Sequence, residues 1–68
     1  MEKEIIRRFI GKKVVFHKVG SDINYIGILL EVTDSSMLVE FRGMLQTHFL
    51  EHVIDIQEGF NNNSEVSK

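Results

Sequence analysis

The chemistry that this sequence offers most clearly is anion binding by a short cluster of basic residues. Four cationic side chains fall within seven positions, at Arg7, Arg8, Lys12 and Lys13. Guanidinium and ammonium groups contact phosphates without reading bases, so the cluster predicts contact with a nucleic-acid backbone. Residues 1–20 carry six basic and two acidic side chains, whereas residues 21–68 carry two basic and eight acidic ones. The cluster is therefore either a basic binding face or the solvated side of a helix and a strand, and the sequence leaves both open.

Catalytic and metal-binding constellations are weak by comparison. His48 and His52 are four positions apart, a zinc-binding spacing when both lie on one helix, with Glu51 as a third group. The surrounding period is that of a strand and then a turn, so we expect the two imidazoles to diverge and predict no metal and no cofactor. The serines have the context of turns, and no glycine-rich phosphate loop occurs. The sequence thus predicts a protein that is not an enzyme.

Length and composition indicate one small domain with little reserve of stability. A domain of this size buries only about 60% of the surface of its unfolded chain, and without cysteine it has no disulfides. Oligomerisation is the remaining way to add stability. No apolar run approaches the ~18 residues needed to cross a bilayer, and the first residues lack the pattern of a secretory signal. We therefore expect a cytoplasmic protein without a membrane partner.

The elements that must position these residues are one helix and five short strands. Helical spacing over residues 2–10 places four apolar side chains on one side, namely Ile5, Ile6, Phe9 and Ile10, and Gly11 ends the helix. A period of two then predicts strands over 13–18, 25–33, 37–42, 44–49 and 53–57, with a single helical turn at 50–52. This order predicts a small, closed or nearly closed, strongly bent antiparallel barrel over residues 1–57. A disordered tail is expected over residues 58–68.

The second predicted strand is apolar on both of its faces. Its two alternating sets are Ile26, Ile28, Leu30 and Val32 on one face and Tyr25, Gly27, Leu29 and Glu31 on the other. We expect the first set to fill the barrel, and Gly27 predicts a strand that bends sharply. Apolar side chains are then left facing outward, namely Val15, Leu29, Leu38 and either Leu45 or Met44. They either pack under the helix or are covered in a ring that pairs the fourth strand of one subunit with the fifth of the next.

The order of one helix and five strands, with a glycine in the second strand, resembles the Sm-like family and its bacterial branch, Hfq, over residues 4–56. The parts that carry the resemblance are Ile10-Gly-Lys-Lys-Val-Val15, the run from Gly27 to Asp34, Asp34-Ser-Ser-Met-Leu-Val39 and Gln46-Thr-His-Phe-Leu-Glu-His-Val-Ile-Asp-Ile56. The spacing from Gly27 to Asp34 is one residue longer than the family pattern, which predicts a local bulge. The resemblance implies an Sm-like, SH3-type barrel assembled as a homo-oligomeric ring of about five to seven subunits.

The residues that would bind RNA in such a ring are only partly retained. Phe49 stands where Hfq has a tyrosine that stacks on a base, so the resemblance implies that Phe49, Ser35 and Ser36 form the remnant of a base pocket. The lysine and histidine that follow in Hfq are replaced by Leu50-Glu51, and a carboxylate repels phosphate. The leading hypothesis is non-catalytic binding of RNA or another nucleic-acid backbone. The alternative is a protein-interaction or structural barrel that has lost the RNA site.

Overall fold

One short helix and a single five-stranded antiparallel sheet make up the part of the chain, residues 1–59, that the computed structural model describes. The elements are α1 (Lys3–Arg7), β1 (Lys13–Lys18), β2 (Tyr25–Val32), β3 (Ser36–Phe41), β4 (Met44–Phe49), a 3-10 turn (Leu50–His52) and β5 (Val53–Glu58). The strand order is β4-β3-β2-β1-β5, and the two edge strands are not paired with each other, so the sheet is not closed. The predicted mainly β class, with an N-terminal helix before five antiparallel strands, is confirmed.

The helix α1 is shorter than predicted and buries fewer side chains. Ile6 is fully buried and Phe9 packs against the core, but Ile5 and Ile10 are exposed, so the predicted four-residue apolar face is wrong. A helix of five residues makes about one and a half turns, so few of its side chains can face the sheet. The chain continues in turns and reverses at Gly11, which has a φ of 88° and lies where the sequence predicts the end of the helix.

The core lies between α1, the 3-10 turn and one face of the sheet. Its apolar members are Ile6, Val14, Phe16, Leu29, Val32, Met37, Val39, Leu50 and Val53. The strand alternation places Val14 and Phe16 of β1 inward, on the face opposite Val15, and β3 contributes Met37 and Val39 in the same way. His48 of β4 is the one buried polar side chain in residues 1–59.

The prediction for the faces of β2 is wrong. Leu29 and Val32 are buried, whereas Ile26, Ile28 and Leu30 are exposed, so most of the set expected to fill the core faces outward. The register of β2 with β3 shifts directly after Leu29, and this bulge confirms the local irregularity predicted from the long spacing before the turn. Because the bulge adds one residue, it returns Val32 to the buried face.

Gly27 is required because a side chain would not fit at this position, and not because of its backbone conformation. A Cβ added at this position would lie 2.7 Å from the carbonyl oxygen of Glu40 and would overlap the side chain of Val39, both on β3. Its φ is not in the left-handed region that favours glycine. The glycine therefore lets β2 and β3 approach closely at the point where the sequence predicts a bend.

The tight turns occur where the sequence predicts them. Phe41 pairs with Met44, so the β3–β4 hairpin has a two-residue loop, Arg42-Gly43, and both residues have positive φ, as a type I′ turn requires. At the β2–β3 connection the hydroxyl of Thr33 accepts a hydrogen bond from the backbone N–H of Ser36 at 3.0 Å. This contact closes the predicted Asp-Ser-Ser turn.

The end of β5 extends beyond its predicted limit. Glu58 is the last residue of the strand, and the N–H of Gly59 donates to the carbonyl oxygen of Lys13 at 2.7 Å. The predicted start of the tail at Glu58 is therefore wrong. The rest of that prediction, residues 60–68, lies outside the described residues.

Candidate nucleic-acid interface

The four basic residues predicted to contact phosphate follow one another through the junction of α1 and β1. Arg7 is the last residue of α1 and Arg8 caps it, Lys12 follows the reversal at Gly11, and Lys13 opens β1. All four are exposed. Strand alternation separates them, because Lys13 lies on the face of the sheet opposite the core, in the same row as Ile28 of β2.

Two of these cations have acidic neighbours within the chain. Arg7 is 3.1 Å from Glu4, one helical turn earlier, and Lys12 is 3.8 Å from Glu58 at the end of β5. The other two have no ion pair within residues 1–59. The pairs of Arg7 and Lys12 are exposed and contribute little stability, so a phosphate can replace the carboxylate. This surface, Arg7, Arg8 and Lys12, is called the basic patch below.

The three residues predicted as the remnant of a base pocket are brought together. Ser36 pairs with Phe49 across β3 and β4, and the N–H of Leu50 donates to the carbonyl oxygen of Ser35 at 2.9 Å. Phe49 is 53% exposed, and its ring lies 5.8 Å from the His52 ring in a T-shaped arrangement. A cleft of about 760 Å³ lies beside them and is lined by Met1, Glu2, Lys3, Glu4, Asp34, Ser35, Phe49, Leu50 and Glu51.

The cleft beside Phe49 is acidic. Four carboxylates line it, at Glu2, Glu4, Asp34 and Glu51, against one lysine and the N-terminal amine. Lys3 forms an ion pair with Asp34 at 2.6 Å, and its hydrogen bond lowers the pKa of the Asp34 carboxyl. The amine of Met1 donates to the carbonyl oxygen of Leu50 at 2.9 Å. Both cations of the cleft are therefore engaged, and the remaining charge repels phosphate.

The predicted site is thus split in two within one subunit. None of the four basic residues lines the cleft that contains Ser35 and Phe49. Arg7 borders the cleft through its 3.1 Å contact with Glu4, which lines it, whereas no ion pair joins Arg8 or Lys12 to the cleft within residues 1–59. The sequence did not reveal this separation, because the acids of the cleft come from three distant segments that only the fold assembles.

The two histidines with zinc-binding spacing, His48 and His52, lie in different environments. His48 is buried on β4 against the rings of Phe16 and Tyr25, at centroid distances of 4.9 and 5.6 Å, while His52 is exposed on the 3-10 turn. The predicted divergence of the two imidazoles is confirmed. No group of three or more histidine, cysteine or acidic side chains within residues 1–59 could hold a metal ion.

The imidazole of His48 is held in its neutral form. Burial lowers its pKa, and the nearby Lys18 lowers it further. The Nδ1 atom accepts a hydrogen bond from the ammonium of Lys18 at 3.2 Å, while Nε2–H donates to the side-chain oxygen of Gln46 at 3.2 Å. The same lysine lies over the ring of Tyr25 at 5.3 Å. These contacts give the buried imidazole its hydrogen-bond partners, which is a structural role rather than a catalytic one.

His17 forms a contact that the sequence did not show. Its Nδ1 lies 2.7 Å from Asp55 of β5, and its Nε2 lies 2.6 Å from the side-chain oxygen of Asn24 before β2. The hydrogen bond with Asp55 raises the pKa of His17, and the one with Asn24 raises it further. His17 and Asp55 are 38 positions apart, and only the β1–β5 register, in which they are direct partners, could have revealed the pair.

Comparison of the chain with protein-family models, with curated proteins and with solved structures gives no match. Within the part of the chain that the structure describes, no helix has the length and apolar character needed to span a membrane. What this chain binds is therefore inferred from the sheet, its edges and the charges of its surfaces.

Proposed function

We propose that this chain is a non-enzymatic, Sm-like, ring-forming protein that binds nucleic-acid backbone, with RNA as the leading ligand. The subunits join through their free strand edges, and the basic patch contacts phosphates. The observation that carries the proposal is the combination of two sheet edges that are free within residues 1–59 with a cluster of exposed cations.

The sheet edges support assembly. β4 and β5 stand at opposite ends of the strand order, so each has one row of backbone N–H and C=O groups without a strand partner in the part of the chain that the structure describes. Exposed apolar side chains accompany both edges: Met44 and Leu45 are each 64% exposed on β4, and Ile54 is 56% exposed on β5. Pairing β4 of one copy with β5 of the next would cover both edges and repeat until the ring closes.

The basic patch supports phosphate contact. Arg7, Arg8 and Lys12 lie in one short segment, and a ring would repeat this segment once in every subunit. Repetition supplies the multiple phosphate contacts that a short patch on one chain lacks. The acidic cleft beside Phe49 disfavours the base pocket that the resemblance implies, so the proposed contact is with backbone and has little sequence preference.

Fluorescence anisotropy with labelled oligo-uridine and oligo-adenine tests the proposal. We expect binding at about 50 mM salt that weakens steeply by about 200 mM, since phosphate contacts release counterions. Arg8→Glu should weaken binding and flatten the salt dependence. Arg42→Glu is the matched control, because it makes the same charge change on the β3–β4 turn, outside the basic patch. If tens of micromolar protein gives no binding at about 50 mM salt, nucleic-acid binding should be abandoned.

A second candidate function is a protein-interaction module. The four carboxylates around the cleft favour it, because they would attract a basic segment of a partner and repel a nucleic acid. Failure of the oligonucleotide titration, together with an assembled particle, would favour this function over the first.

A further inference from the structure

The face of the sheet opposite the core carries a set of apolar side chains, in rows that also contain charged residues such as Glu31 and Glu40. Its members alternate with core residues along β1, β2, β3 and β4, and they are Val15, Ile26, Ile28, Leu38 and Leu45, called the outer face below. The register places Val15 opposite Ile26, and Ile28 lies on β2, between β1 and β3. Ile26 and Ile28 remain 38% and 39% exposed at the centre of the sheet, where edge pairing between subunits would not cover them.

Opposite charges flank the centre of the outer face. Lys13 of β1 and Glu40 of β3 are the two direct partners of Ile28, one on each side. They are about 10 Å apart at two strand spacings, and neither is in an ion pair within residues 1–59. A groove of about 470 Å³ lies between them, lined by Lys13, Ile26, Gly27, Ile28, Glu40, Phe41 and Arg42. The surface is therefore apolar in the middle, with one cation and one anion at equal distances from it.

We propose that the outer face is a self-association surface, on which a second copy of this chain sits about a two-fold axis that runs along β2. Rotation about that axis brings Ile28 of one copy over Ile28 of the other. It also exchanges the two sides of β2, so that Lys13 of each copy faces Glu40 of the other. The two sheets then pack face to face at about 10 Å, as in a sandwich.

The charge pattern selects a second copy over other occupants. A basic or acidic partner would be complementary to one side of Ile28 and repelled by the other. A two-fold axis satisfies both sides at once, because an isologous contact pairs residue i with residue j twice. Arg42 also lines the groove, and its guanidinium lies 5.2 Å over the ring of Phe41 on the hairpin turn.

This pairing is independent of nucleic-acid binding and of edge-to-edge assembly. It uses the face of the sheet, so the outer edges of β4 and β5 stay available, and rings built through those edges would join in pairs. It assigns Lys13 to a contact between copies, which leaves Arg7, Arg8 and Lys12 for phosphate. The proposal therefore makes its own prediction for Lys13.

A charge swap tests the two-fold contact in the full-length chain. The masses of the wild type, Lys13→Glu, Glu40→Lys and the double variant are measured by light scattering over a series of concentrations. Each single variant places two like-charged pairs in the interface, and we expect the dissociation constant between the paired faces to rise by about 100-fold or more, halving the particle mass. The double variant restores both pairs in reversed order and should regain the mass of the wild type.

Three results would overturn the proposal. The first is an equal mass for all four proteins. The second is a wild-type particle that does not halve when either charge is reversed singly. The third is a loss of mass in the single variants that the double variant does not restore, which would mean that Lys13 and Glu40 do not face each other across a two-fold axis. Circular dichroism of each variant checks that these exposed or half-buried substitutions leave the fold intact.

Discussion

Replacing Gly27 with alanine should destabilise the domain because a methyl group does not fit between β2 and β3. The added Cβ would be 2.7 Å from the carbonyl oxygen of Glu40 and closer still to Val39. The backbone of β3 has little freedom to retreat, since it is hydrogen-bonded to β2 on one side and β4 on the other. Inserting a methyl group into a packed interior costs about 1–3 kcal/mol, and a rigid neighbour favours the upper part of that range.

Part of this cost is offset in the unfolded chain. Alanine reduces the conformational entropy of the unfolded state, which stabilises by about 0.4–1 kcal/mol relative to glycine. We therefore expect a net loss of about 2 kcal/mol and a fall in Tm of about 8–16 °C for a domain of this size. The total stability of a domain this small is about 3–9 kcal/mol, so the variant should still fold. Urea unfolding followed by circular dichroism measures the change.

A double-mutant cycle with Val39→Ala identifies the cause. Removing the Val39 methyl groups relieves one of the two close contacts, so the loss in the double variant should be smaller than the sum of the single losses by about 1 kcal/mol. Gly20→Ala is the control, because that glycine has a φ of 78° and no atom within 4 Å of the added methyl, and its effect should add to that of Val39→Ala. The reasoning is refuted if Gly27→Ala costs less than about 0.5 kcal/mol or if the cycle is additive.

Three further predictions concern the histidines. In an NMR titration the pKa of His17 should be above the usual value of about 6.5, and the pKa of His48 should be below it. The same pKa for both would contradict the hydrogen bonds of His17 and the burial of His48. The contribution of neutral His48 to stability should be complete above about pH 6.5 and lost as the pH falls through its lowered pKa. His48→Phe should therefore make the free energy of unfolding less dependent on pH in that range. An unchanged pH dependence would count against burial as the cause. The contribution of His17 to stability should be complete below about pH 6.5 and lost as the pH rises through its raised pKa. Asp55→Asn should lower the pKa of His17. If that pKa does not change, Asp55 is not the main cause of the shift.

The order and approximate bounds of the strands could be predicted because alternation, turn residues and glycines are local signals. Neighbouring residues are enough to predict three of these features: the single turn at Leu50–His52, the hairpin at Arg42-Gly43 and the inward face of β1. The bulge in β2 could also be anticipated, because the run from Gly27 to Asp34 is one residue too long for the family pattern that it resembles.

The inward face of β2 could not be chosen from the sequence, because both of its alternating sets are apolar. Counting aliphatic residues favours the face with Ile26 and Ile28, whereas packing favours the face with Gly27, the only one on which β3 can approach closely. The acidic cleft and the contact between His17 and Asp55 depend on pairing between distant segments, so they needed the register of the sheet.

The native mass of the full-length protein tests the central proposal, assembly through the edges of β4 and β5, most directly. Size-exclusion chromatography with light scattering should give a particle of about five to seven subunits of 7.9 kDa, or twice that number if the outer faces also pair. Met44→Lys, which places a charge on the exposed edge strand β4 at a residue outside the outer face, should reduce the mass without unfolding the subunit. A monomer near 7.9 kDa for the unmodified chain at micromolar concentration would contradict the proposal.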